Sequence, residues 1–142
     1  MNELLAEGYT AIPMRETMLG HLELIGKINN IDTRFLLDTG AANTVVGIEF
    51  AKDNALAFIE TEHKGGGVGT SSLDIFQLDA ADISIGSFKV PGCIIYAVDL
   101  SHVNNSLASK GETNLPAGVI GADILIRHQA IINYPLKMLF LK

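Results

Sequence analysis

Phe35-Leu36-Leu37-Asp38-Thr39-Gly40-Ala41-Ala42-Asn43-Thr44-Val45-Val46 is the stretch on which the reading of this chain turns. An apolar run ends in an acid, and the acid is followed by small residues. Asp38 therefore sits where a buried strand breaks into a turn, a place suited to a partly desolvated carboxyl with a perturbed pKa. The same residues also fit a plain strand-to-turn corner, in which Asp38 bonds local backbone amides and Gly40 supplies positive φ. The tripeptide alone leaves both readings open.

The surrounding chain sets limits on both. With 142 residues, 48% hydrophobic and 18% charged, it has material for one domain with a real core and too little charge for disorder. Its net charge of −6 and scattered Lys and Arg give no footprint for nucleic acid or an anionic membrane. No apolar run reaches the roughly 18–20 residues that span a bilayer, and Met1 to Glu7 has neither a basic nor a hydrophobic leader region. The literal expectation is a cytoplasmic protein, or a periplasmic one if a signal or anchor was removed. The lone Cys93 excludes an internal disulfide, and His21, His63, His102 and His128 lack metal-ligand spacing, so no metal or cofactor is expected.

Periodicity is mostly that of strands. Leu22 and Leu24 alternate with His21 and Glu23, and Ile83 and Ile85 with Asp82 and Ser84, as in half-buried strands of antiparallel sheets. Asn29-Asn30 predicts a tight hairpin into a strand over Asp32 to Leu37, and Gly86-Ser87 predicts a second hairpin. Cys93 to Val98 reads as a continuous buried strand, and Ser101 to Pro116 as a long loop. Helical signal is confined to a weak segment near Ile48 to Ala55 and a short helix from Ala122 to His128 or Gln129, with Asp123 suiting its N-terminal dipole. There is no internal repeat, so a two-part site cannot come from duplicated halves.

Far downstream, Val119-Ile120-Gly121-Ala122-Asp123-Ile124-Leu125 reads as an apolar strand, a glycine and a helix. Phe35-Leu-Leu-Asp38-Thr39-Gly40-Ala41 paired with that element strongly resembles the retropepsin-like aspartic proteases. The tail from Ile124 to Pro135 is most similar to their cellular and bacterial single-domain members. The resemblance runs from His21 to the C-terminus, giving one domain over 21–142 preceded by an extension, 1–20, of unknown role. It implies an all-β, closed barrel-like fold with one short C-terminal helix, functional as a homodimer, with the strands before Asp38 and Gly121 threaded beneath the site. Ile120, Gly121 and Asp123 would be structural members of the second motif.

The chemistry agrees. Hydrolysis by carboxylates needs one group to take a proton from water and another to donate one, and this chain has one Asp-Thr-Gly. Asp32-Thr33-Arg34 lacks the glycine, so a twofold dimer that sets Asp38 beside its mate is the simplest source of a dyad. By the resemblance, Thr39 would bond across the dimer axis and Gly40 would leave backbone room and a carbonyl for substrate. Ala41 is the usual small residue there. Ala42 stands where many relatives have a polar or acidic residue that contacts substrate backbone, and Asn43 either supplies that polarity or stabilises the turn. Gly65, Gly66, Gly67, Val68 and Gly69, within Lys64 to Ser72, fit a mobile hairpin that covers the substrate, or a flexible linker. The implied partners are a second copy and a peptide or protein substrate. A catalytically silent peptide-binding or dimerisation module of the same fold, and an unrelated β-rich domain with a structural Asp38 corner, are the alternatives.

Overall fold

The structure is a computed structural model and describes residues 1–59, 75–79 and 81–142. Its centre is a hairpin of β3 (Leu22–Ile28) and β4 (Ile31–Leu37), paired antiparallel from Glu23↔Leu36 to Ile28↔Ile31. Asn29 and Asn30 make the turn at φ 49° and 67°, a left-handed pair that asparagine tolerates and that matches the twist of the strands. Alternation then assigns the faces of β4: Thr33 and Phe35 are fully buried, while Arg34 and Leu36 are only partly so.

The expected Gly86-Ser87 hairpin is present, joining β8 (Ile83–Ile85) to β9 (Phe88–Val90), with β8 against β3. Two pairings depart from an antiparallel sheet. The strand β11 (Gly118–Ile120) runs parallel to β4, and β10 (Tyr96–Val98) runs parallel to β5 (Val45–Gly47). These strands meet only after long excursions of chain, as parallel neighbours must. Because β11 lies beside β4 in the same direction, Leu37 and Ile120 reach the same end of the sheet. Phe35 fills the interior between them. A Cβ at Gly26 would lie 3.0 Å from its ring and 2.3 Å from the Ser84 carbonyl oxygen, and one at Gly118 would lie 2.9 Å from the ring, so both flanking strands need glycine.

With β6 (Phe58–Ile59), β7 (Phe76–Leu78) and the short β2 (Arg15–Glu16) on β3, these strands form, among the described residues, one curled ten-stranded sheet. The expected closure is not seen among the described residues, where β6 and β9 remain unjoined ends of the strand order. A second sheet takes β1 (Thr10–Pro13), β13 (Met138–Leu141) and β12 (Ile131–Asn133) in the order β1-β13-β12, and Ile12, Leu139 and Leu141 from it join the common core.

Among the described residues there are four helices, where the resemblance implied one and the residues suggested two: α1 (Asn2–Ala6), α2 (Ile48–Asp53), α3 (Ser101–Ser109) and α4 (Ala122–Arg127). The weak signal near Ile48 to Ala55 is α2, ended by Ala55 at φ 56°. The long polar loop is corrected more sharply, since most of it is α3. Asp99 Oδ1 accepts the Ser101 N–H at 2.8 Å, a bond that holds this carboxyl below its ordinary range, and Leu100 and Leu107 are buried. The run from Cys93 is also corrected: only Tyr96–Val98 is strand, and Ile94 is exposed while Ile95 is buried. His128 is buried at the end of α4, where its Nδ1 lies 3.2 Å from the Lys142 carbonyl oxygen and the Lys142 N–H donates to the His128 carbonyl at 2.9 Å. No helix among the described residues is long and apolar enough to cross a membrane.

Candidate active site

The side-by-side ends of β4 and β11 position Asp38. Its N–H donates to the Ile120 carbonyl at 3.0 Å, continuing the parallel ladder one residue beyond the strand. Past it the chain turns tightly: the Gly40 N–H donates to Asp38 Oδ1 at 2.9 Å and the Ala41 N–H to the Asp38 carbonyl at 3.2 Å. Within the chain, then, Asp38 makes the local amide bond of a strand-to-turn corner. Asp38, Thr39 and Gly40 are all exposed, so the chain by itself does not supply the desolvation that a strand-end acid suggests.

The turn rests on the second motif. The Ala122 N–H donates to the Ala41 carbonyl at 2.7 Å and the Asp123 N–H to the Ala42 carbonyl at 3.2 Å. Thr44, fully buried, ties the two segments: its hydroxyl donates to Asp123 Oδ1 at 2.8 Å and accepts the Gly121 N–H at 3.1 Å, while its own N–H donates to Asp123 Oδ2 at 3.0 Å. Gly121 is required by close approach, since a Cβ there would lie 2.7 Å from the Asn43 carbonyl and 2.8 Å from the Ala41 oxygen, both backbone. Asp123 therefore does more than suit a helix dipole. Its charge also reaches Cys93: burial first, and the Asp123 carboxylate second, push that thiol up to about 11 against the opposing effect of Arg127.

Asp38 opens into a small cleft of about 150 Å³ shared with His21, Leu37, Thr39, Ile132 and Tyr134, in which it is the sole carboxylate among the described residues. On the other side of Thr39 lies an apolar hollow of about 480 Å³ lined by Leu125, Ile126, Ala130 and Ile132. Ile126 is 78% exposed and Tyr134 65%, so the site is bordered by bare apolar surface. Ala42 and Asn43 are exposed beside the acid, and among the described residues the Asn43 side chain makes no hydrogen bond. Gly65, Gly66, Gly67, Val68 and Gly69 lie outside the described residues. Among the described residues no three His, Cys, Asp or Glu cluster as metal ligands would.

Sequence reasoning missed the Thr44–Asp123 tie and the placing of His21 and Tyr134 next to Asp38. Thr44 lay within the quoted motif, so the signal was there; the partners of His21 depend on the fold.

A model of the aspartyl protease family matches residues 24–124, and the chain belongs to that family. No curated protein matches it in sequence. Among solved structures it is similar to a retropepsin-like aspartic protease from Rickettsia conorii, at 19% identity over 94% of this chain and 90% of that one, with a TM-score of 0.57. It is also similar to the retroviral protease-like domain of Ddi1 from Leishmania major, at 18% identity, 86% and 88% coverage and a TM-score of 0.60. The EIAV protease complexed with the inhibitor HBY-793 matches at 20% identity, 78% and 89% coverage and a TM-score of 0.52. The fold is retropepsin-like.

Proposed function

We propose that this chain is an aspartic endopeptidase whose water-activating dyad is Asp38 from two protomers of a homodimer. The observation that carries the reading is Asp38 itself: an exposed carboxylate on a backbone pinned by Ile120 and Gly40, in a cleft to which the described residues bring no second carboxylate. One carboxyl cannot both accept a proton from water and donate one to the scissile carbonyl. Two placed together cannot both ionise comfortably, so they share a proton and titrate as a pair. The ionised Asp38 takes a proton from water as its oxygen attacks the carbonyl carbon, and the protonated mate donates to the carbonyl oxygen. Collapse of the tetrahedral intermediate sends a proton to the leaving amine.

In this reading the two Thr39 side chains bond across the axis and hold the acids, and Gly40 offers its carbonyl to the substrate. Ala41, Ala42 and Asn43 form the floor beside an extended peptide, and residues Gly65 to Gly69 cover it. The bare apolar surface around Thr39, Ile126 and Tyr134 supports a second copy at this face. Apolar pockets give modest selectivity for apolar side chains at the cleaved bond.

A silent peptide-binding or dimerisation module is the second reading. It is favoured by the Gly40 bond to Asp38, which a purely structural corner would also make. The two separate on cleavage of a denatured-protein peptide pool from about pH 4 to 7, the range in which a coupled carboxyl pair acts, read by mass spectrometry for wild type and Asp38→Asn. Cuts made by wild type and absent from a folded Asp38→Asn support the protease. Silence from folded, dimeric wild type supports the module.

A further inference from the structure

Glu23 alternates with Leu22 and Leu24 as a solvent-facing residue would, yet it is 3% exposed. Its Oε1 accepts from Arg15 Nε at 2.9 Å, from Arg34 Nη1 at 2.9 Å, and from Arg15 Nη2. One buried carboxylate thus orients two guanidinium groups and leaves a local excess of one positive charge, in a chain whose net charge is −6. The neighbouring Glu16 does not cancel it, being held by Lys137 at 3.6 Å. Arg34 engages Glu23 through a single nitrogen, and among the described residues its other N–H groups have no protein partner, although its side chain is 31% exposed.

The cluster borders a cleft of about 410 Å³ whose other walls include Ile12, Met14 and Ile25. Its place relative to the acid follows from register. Glu23 lies opposite Leu36 and Arg34 opposite Ile25, so Arg34 and Leu36 share the less buried face of β4 in a row that leads to Asp38. Arg34 precedes Asp38 by four residues, about 13 Å along a strand, a span that an extended peptide covers with three to four residues. A long, partly exposed guanidinium with N–H groups still open to solvent, oriented by a buried acid and flanked by apolar walls, suits a carboxylate carried on an aliphatic stem.

We propose that the Arg15–Glu23–Arg34 cluster is a recognition subsite for an acidic side chain of the peptide, three to four residues from the bond cleaved at Asp38. This rests on the protease reading. A twofold dimer would carry the subsite on both sides of the scissile bond.

The test uses peptides capped at both ends, with an apolar pair at the cut and Glu or Gln at the third and fourth residues to either side. Wild type is expected to prefer Glu over Gln about 3- to 10-fold in kcat/KM, mostly through KM, with the preference fading toward parity near 1 M salt. Arg34→Gln should lose the preference, its kcat/KM for the Glu peptides falling to that for the Gln peptides, and Arg34→Lys should keep part of it. If Arg34→Gln does not fold, Arg15→Gln and the salt dependence of wild type decide the matter. Fluorescence anisotropy of the same peptides on Asp38→Asn reads recognition without turnover. Equal cleavage of Glu and Gln peptides overturns the subsite and leaves the protease standing. Glu-preferring binding without any cleavage supports the subsite and overturns the protease, and neither binding nor cleavage overturns both.

Discussion

Asp123 holds Thr44 with both carboxylate oxygens, Oδ1 2.8 Å from the hydroxyl and Oδ2 3.0 Å from the backbone nitrogen, 79 residues apart in sequence. Through Thr44, which also takes the Gly121 N–H, this pair fixes the turn that begins at Asp38 to the start of α4. The turn that carries the acid read as the reactive group is therefore held by a second acid, through Thr44.

That tie sets a stability prediction. Asp123→Ala leaves the buried Thr44 hydroxyl and N–H without acceptors and should cost about 2–3 kcal/mol, with Asp123→Asn costing less because one oxygen remains. Thr44→Val should cost about 2 kcal/mol, and the double variant less than the sum, because the two residues share one network. Denaturant unfolding of the four proteins gives the coupling. Strict additivity would remove the pair from the account.

Gly121→Ala places a methyl group against two backbone carbonyls that cannot rotate away. The expected loss is about 3 kcal/mol, or failure to fold. Gly20→Ala, where a Cβ would have open space but φ is +84°, should cost about 1 kcal/mol from backbone strain alone. Thermal unfolding of both variants checks the order.

Cys93, with its pKa raised to about 11 from 9.0, should alkylate at pH 8 roughly 100-fold more slowly than an unperturbed thiol. Asp123→Asn should speed the reaction, because it removes a charge that disfavours the thiolate. The linkage has a definite sign. A folded-state pKa above the unfolded one means stability is fully present below about pH 9 and is lost as pH rises through about 11. Unfolding free energy followed from pH 8 to 11 should decline in wild type and decline less in Cys93→Ala.

Ile126 and Tyr134 belong to the apolar border of Thr39. If a second copy covers this face, Ile126→Glu buries an unpaired charge in it and should weaken self-association by about 10-fold or more, with little change in the stability of the protomer. Sedimentation velocity across a concentration series checks it. Unchanged association would place the interface elsewhere.

The parts of this fold legible in the sequence are those with local causes. Asn29-Asn30 and Gly86-Ser87 demanded particular backbone conformations and took them. The pairing of Phe35 to Ala41 with Val119 to Leu125 was readable because each half is a patterned string, and the two lie on adjacent parallel strands. What was not legible depended on distant partners. Glu23 looked solvent-facing by alternation, and only the pairing of β2 and β4 to either side of β3 brings Arg15 and Arg34 to it. Helix α3 was masked by Asn and Ser, which compete for backbone bonds, although Leu100, Val103 and Leu107 carry a helical spacing. Asp38 lies on the surface of the chain, and no local pattern states what meets it there.

Mixing decides whether one dyad draws its acids from two chains. Wild type and Asp38→Asn, unfolded together in equal amounts and refolded, should give random dimers of which about a quarter carry two intact acids. Shared dyads should leave this mixture with about 25% of the peptide-cleaving activity of the same total amount of wild type. An activity near 50% would mean that each chain works alone, and would contradict the shared dyad.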